Sequence, residues 1–163
     1  MHSQKLERNR SNLLLSPQQK LLIPQNSSAA IVICNNRYLL QQRDSKSGIF
    51  FPAHWGLFGG ATEEGESYQA ALEREILEEL SISATKNNTT HFMTMNFSIN
   101  NTESESFCRE FFISRLEEKE LKEAKLGEGS RMQLFTAEEI FDQINMTPYD
   151  EFAIWLFMKE NDI

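Results

Sequence analysis

The sequence predicts one α+β domain, and three observations predict it. Short β-branched and aromatic runs come in pairs separated by turn residues. Between them lie two or three stretches whose apolar residues recur at helical spacing. The chain has 163 residues, 40% of them apolar and twelve of them Phe, which suits a single core.

The elements follow in order. Residues 1–26 read as a partly ordered N-terminal extension and 27–163 as the domain. The extension has Lys5, Arg8 and Arg10, then only two apolar triplets, Leu13 to Leu15 and Leu21 to Ile23. Polar residues and Pro17 interrupt them, so no secretory signal is read. Ala29 to Cys34 is a β-branched, apolar run and the first strand. Asn35-Asn36 is a tight-turn signal, because Asn tolerates positive φ. Tyr38 to Arg43 returns as the second strand. Lys46 to His54, with Gly and Pro, is a loop, and Trp55 to Phe58 a short strand running into Gly59-Gly60. A long helix follows, ending near Leu80. Thr89 to Ile99 and Phe107 to Arg115 are strands joined by a turn at Asn100-Asn101. Glu117 to Glu128 is a charged loop or short helix, and Arg131 to Phe135 a strand. Thr136 with Glu139 is a capping box opening a helix to Ile144. Thr147-Pro148 opens the last helix, with Phe152, Trp155 and Leu156 apolar at helical spacing.

Seven carboxylates fall between Glu63 and Glu79, with Arg74 the one basic residue among them. On a helix, Glu75 and Glu79 are four apart and repel by a few tenths of a kcal/mol. At about 100° per residue, Glu75, Glu78 and Glu79 share one face, while Leu72, Ile76 and Leu80 make an apolar stripe on another. A cation on the acidic face would explain the crowding. All-oxygen ligands favour Mg²⁺ or Mn²⁺. A solvated acidic helix explains the three glutamates alone equally well.

The spacing in the chain resembles a known pattern. Gly60, Glu66, Arg74, Glu75, Ile76, Glu78, Glu79 and Ile82 match the signature G-x5-E-x7-R-E-U-x-E-E-x-G-U of the Nudix hydrolases, where U is bulky and apolar. One position departs: Ser81 stands where the family has glycine. Glycine after a helix takes up a left-handed backbone, so serine there costs about 1 kcal/mol or lets the helix run on.

The resemblance implies the Nudix fold, a mixed β-sheet sandwiched between α-helices. It implies Mg²⁺- or Mn²⁺-assisted hydrolysis of a diphosphate linkage in a nucleotide derivative. It makes Glu75, Glu78 and Glu79 metal ligands, with the Gly59 carbonyl completing the set, and gives Gly60, Glu66 and Arg74 a structural role. Arg74 would hold the loop of Glu66 against the helix. Glu128, in Leu126-Gly127-Glu128-Gly129, resembles a later-loop glutamate that acts as fourth ligand or general base in some members. Glu75 is the competing base. On the substrate side, Arg43 ends a strand where relatives often carry a phosphate contact, and a surface arginine reads as well. Trp55 and Phe58 could stack on a base, or simply pack in the core.

A nucleoside triphosphate, including an oxidised one, ranks above a nucleotide sugar or another nucleoside-diphosphate derivative. The Pro and Tyr that often follow the box in ADP-ribose and diadenosine-polyphosphate members are absent, since no Pro lies between Pro52 and Pro148 and no Tyr between Tyr68 and Tyr149. Neither Cys34 nor Cys108 has the setting of an isopentenyl-diphosphate isomerase. Both read as buried free thiols. A non-catalytic Nudix ligand-sensing module is the reading of another class. Net charge of −8 argues against nucleic-acid backbone and anionic membrane as partners, including capped RNA. No apolar run approaches the length of a membrane span. The expected compartment is cytoplasmic, and the extension leaves room for a homodimer contact.

Overall fold

The structure, a computed structural model, describes residues 24–83, 88–98 and 106–161. Six strands form one mixed sheet: β1 (Ser27–Cys34), β2 (Arg37–Gln42), β3 (Trp55–Gly56), β4 (Thr89–Ser98), β5 (Ser106–Arg115) and β6 (Arg131–Phe135). The order is β3-β2-β1-β5-β4, and β6 also pairs with β2. The β1–β5 pairing is parallel and the named-strand pairings around it are antiparallel. Four helices complete the described chain: α1 (Tyr68–Leu80), α2 (Glu118–Glu123), α3 (Ala137–Gln143) and α4 (Pro148–Glu160).

β1 is buried along its whole length, as a central strand covered on both faces must be. Its alternation sorts the core into two layers. Ala30, Val32 and Cys34 face Leu72, Ile76 and Leu80 of α1. Ala29, Ile31 and Ile33 face Ile140 of α3 and Ala153, Ile154 and Phe157 of α4. The sheet is therefore sandwiched between helices. Leu72, Ile76 and Leu80 are almost fully buried, each contributing about 1.5–3 kcal/mol to holding the acidic helix in place.

Asn35 and Asn36 both take positive φ, 49° and 58°, and close the β1–β2 hairpin. The α3 capping box is formed: the Thr136 hydroxyl accepts from the Glu139 N–H, and Glu139 Oε2 accepts from the Thr136 N–H. The last helix opens at Thr147-Pro148 as read, but its apolar stripe is not the face it buries. Its buried face is Ala153, Ile154 and Phe157, while Phe152 and Trp155 are 45% and 44% exposed and stack on each other. Periodicity finds an apolar side but not which side a neighbouring sheet covers. Cys34 is buried, whereas Cys108 is half-buried on the outer strand pair. The extension up to residue 23 and the turn at Asn100-Asn101 lie outside the described residues. Asn26 is already bonded into the domain, accepting from the Thr62 and Cys108 N–H groups. Among the described residues no helix is long and apolar enough to cross a membrane.

Ser81 does adopt the left-handed conformation, φ 56° and ψ 27°, with its N–H closing on the Leu77 carbonyl at 2.9 Å. The chain ends the helix as a glycine would and accepts the strain. Ser81→Gly should raise stability by about 1 kcal/mol. In a thermal melt that is about 3 °C, with no change elsewhere.

Candidate active site

The site grows from a divergence in the sheet. β1 and β2 pair from Cys34↔Arg37 to Val32↔Leu39. Beyond that the segment from Trp55 to Ala61 enters between them. Gly56 pairs with Gln41 on one side, and Phe58 bridges Ala30 on the other. The Phe58 and Gly60 carbonyls accept from the Ala30 and Ser28 N–H groups. Gly59, between them, turns its N–H to Glu79 of α1 at 2.7 Å. The two glycines thus lie between the sheet and the acidic helix. A side chain on Gly60 would collide with the Glu75 carboxylate, so glycine makes room for it.

Arg74 organises the outer part of the site. It forks onto both oxygens of Glu66, Nε to Oε1 at 3.1 Å and Nη2 to Oε2 at 3.0 Å. It also donates to the Ala61 carbonyl at 3.0 Å. This bidentate pair pins the 61–66 loop to α1, and the Arg74 hydrogen bonds hold the Glu66 carboxyl below its ordinary pKa. Arg74 Nη1 reaches Glu75 at 2.8 Å and Glu78 at 3.4 Å.

The three helix glutamates sit in three environments. Glu78 has a side chain 55% exposed. Glu75 is tucked beneath Gly60, and burial raises its carboxyl pKa against the pull of Arg74; Glu78 and Glu128 push it the same way. Glu79 is 5% exposed, and burial lifts it to about 7. Its partners are neutral: Gln41 Nε2 donates to Oε1 at 2.6 Å, and the Gly59 N–H to Oε2. Among the described residues no three acidic, His or Cys side chains converge as a ready-made metal site. Glu75 and Glu78 turn to Arg74, and Glu79 to Gln41 and Gly59. The donor set nevertheless suits a hard divalent cation. It is all oxygen, its charges raise the proton affinity of Glu75 and Glu79, and among the described residues its most buried acid has no cationic partner.

Glu128 is brought to this cluster by the end of α1. The last carbonyls of a helix have no partner within it. Here Gly127 N donates to the Glu79 carbonyl at 2.8 Å and Lys125 N to the Leu80 carbonyl at 2.9 Å. A side chain on Gly127 would strike the Glu78 carbonyl, so the loop docks only with glycine there. Glu128 is exposed, and its charge is felt at both Glu75 and Glu79.

Of the two readings open for Trp55 and Phe58, core packing is the one the structure bears out. Phe58 is fully buried under α1, and Trp55 is 5% exposed, edge-on to Phe135 with Arg131 across its ring. Each faces the core because the segment carrying it is inserted into the sheet, so neither offers a free face to a base. Half-exposed rings do gather nearby, where Tyr149 meets Phe51 and Phe97 edge-on. Arg43 is half-buried, with Nε donating to the Phe50 carbonyl at 2.9 Å. Gln41 escaped the sequence reading. Its signal was its register: two residues after Leu39, it falls on the same face of β2, toward α1.

The NUDIX domain pattern matches residues 24–156. The chain belongs to the Nudix family. Over 50 residues it is 48% identical to nucleoside triphosphatase NudI of Enterobacter sp. (strain 638), a stretch covering 31% of this chain and 35% of that protein. The chain thus matches about a third of that curated relative's length. Among solved Nudix folds, the MutT protein of Methanosarcina mazei Go1 superposes with a TM-score of 0.69 at 21% identity, over 88% of this chain and 100% of that one. The Nudix domain of Shewanella oneidensis NrtR, solved with ADP ribose, gives a TM-score of 0.65 at 15% identity over 100% of both chains. At these identities the superpositions establish a shared fold.

Proposed function

We propose that this Nudix domain hydrolyses a diphosphate linkage in a nucleotide, with a nucleoside triphosphate, including an oxidised one, favoured over a nucleotide sugar. The observation that carries this reading is the intact acidic set, Glu75, Glu78 and Glu79, held between the Gly59-Gly60 turn and the Glu128 loop. The preference for a triphosphate is supported by the likeness to the nucleoside triphosphatase over the stretch that matches. A sensing module would have no need of the complete carboxylate set.

Glu75, Glu78 and Glu79, with the Gly59 carbonyl, would hold Mg²⁺ or Mn²⁺. The cation supplies neutralisation of phosphate oxygens and a lowered pKa for bound water. Arg74 and Glu66 keep the ligand helix and the glycine turn in register. Glu128 is the favoured general base. It is exposed and accepts no hydrogen bond among the described residues, whereas Glu75 is engaged by Arg74. Arg43 stands at the end of β2 to meet the phosphates, and Phe51, Phe97 and Tyr149 replace Trp55 and Phe58 as the rings for the nucleoside.

The test is product release from a panel of nucleoside triphosphates, nucleotide sugars and dinucleotides, with Mg²⁺ and with chelator. Chelator-sensitive cleavage of triphosphates is expected. Cleavage confined to nucleotide sugars would overturn the substrate preference, and binding without any cleavage would favour the sensing module.

A further inference from the structure

We propose that Gln41 is a positioning residue of this site: its amide orients the Glu79 carboxylate. The proposal rests on Glu79 being a metal ligand.

Gln41 is 5% exposed. It follows Leu39 on the face of β2 that packs against the apolar stripe of α1. Packing alone calls for a hydrocarbon here, because a buried amide is costly unless it is bonded. The amide is bonded in one direction only. Nε2 donates to Glu79 Oε1 at 2.6 Å and to the Leu57 carbonyl at 3.4 Å. Both partners accept, so the NH₂ end must face them and the amide cannot be flipped. Its oxygen end lies against Gly129, where an added Cβ would be 2.9 Å from Oε1. One side chain therefore bonds the buried acid and fills the space a side chain at position 129 would need.

The neutrality of this donor matters. Lys or Arg at position 41 could also hold Glu79, but would cancel its charge. Gln41 on one oxygen and the Gly59 N–H on the other fix the carboxylate plane from two separate segments. The negative charge stays available to a cation. Partners that orient ligands in this way typically alter metal affinity or activity by about 10–100-fold when removed.

The test is Mn²⁺ binding to the full chain, followed by the resonance of free Mn²⁺, for wild type, Gln41→Met, Glu79→Gln and the double variant. Methionine keeps the length and loses the donor. Gln41→Met should weaken Mn²⁺ binding about 10- to 100-fold. The double variant should bind no more weakly than Glu79→Gln alone, because Gln41 acts through Glu79. If Gln41→Met does not fold, Gln41→Asn keeps the amide but shortens its reach, and the same loss is expected. Affinity within twofold of wild type, or losses that add in the double variant, would overturn the proposal. A wild type whose Mn²⁺ affinity is indifferent to Glu79→Gln would refute the metal reading itself, and this role with it.

Discussion

Glu78→Gln should lower kcat/KM by at least about a hundredfold, a loss of about 2.7 kcal/mol of transition-state stabilisation. The fold should barely notice. The Glu78 side chain is 55% exposed and, among the described residues, bonds only Arg74, four residues back, at 3.4 Å. Such a pair contributes a few tenths of a kcal/mol. Glu78 also repels Glu75, so neutralising it relieves part of what it removes. The two readings of the acidic helix therefore separate cleanly. A solvated face predicts unchanged turnover and an unchanged melt. A metal-ligand face predicts lost turnover and an unchanged melt. Steady-state kinetics at saturating Mg²⁺ beside a thermal melt decides between them, and unchanged turnover would sink the site assignment.

The second large effect is on stability against pH, and it comes from Glu79. Burial raises this carboxyl from 4.5 to about 7. Between those values the folded protein holds a proton that the unfolded chain has released. Stability therefore falls as pH rises through that window and levels off above it. At about 1.4 kcal/mol per pH unit the contribution is about 3 kcal/mol. Glu79→Gln offers one acceptor to two donors, Gln41 and the Gly59 N–H, so it loses a hydrogen bond at every pH. That loss is a constant offset and leaves the slope readable. In chelator, urea unfolding between pH 4.5 and 7.5 should show the fall in wild type and a clearly shallower one in Glu79→Gln, where Glu75 remains the raised carboxyl. Equal slopes would remove Glu79 as the origin. Mg²⁺ should raise the wild-type melting temperature more at pH 8 than at pH 6, because protons compete for the same carboxylate.

Much of the architecture was legible because it rests on local rules. The Asn35-Asn36 turn, the Thr136–Glu139 cap and the Leu72–Ile76–Leu80 stripe each depend on residues a few positions apart, and each stands in the structure as read. The fork of Arg74 onto Glu66 was also read in advance, through a resemblance of spacing rather than from physics. For the aromatic residues, spacing along the chain left the setting open. Trp55 and Phe58 beside a glycine turn look like a stacking platform, but β1 and β2 part and take the segment between them. Phe152 and Trp155 mark an apolar helix face, but the sheet covers the adjoining face.

By itself, the sequence determined the family, the carboxylates that carry its signature and most of the strands and helices, since these follow from spacing along the chain and from side-chain chemistry. The tertiary structure alone decided what surrounds each carboxylate. Glu75, Glu78 and Glu79 are close in sequence and chemically alike, yet one is tucked beneath a glycine, one is exposed and one is buried against Gln41. The neighbours that make them different come from β2, from the Gly59-Gly60 turn and from the Glu128 loop. Burial and proton affinity depend on distances through space, which no spacing along the chain encodes.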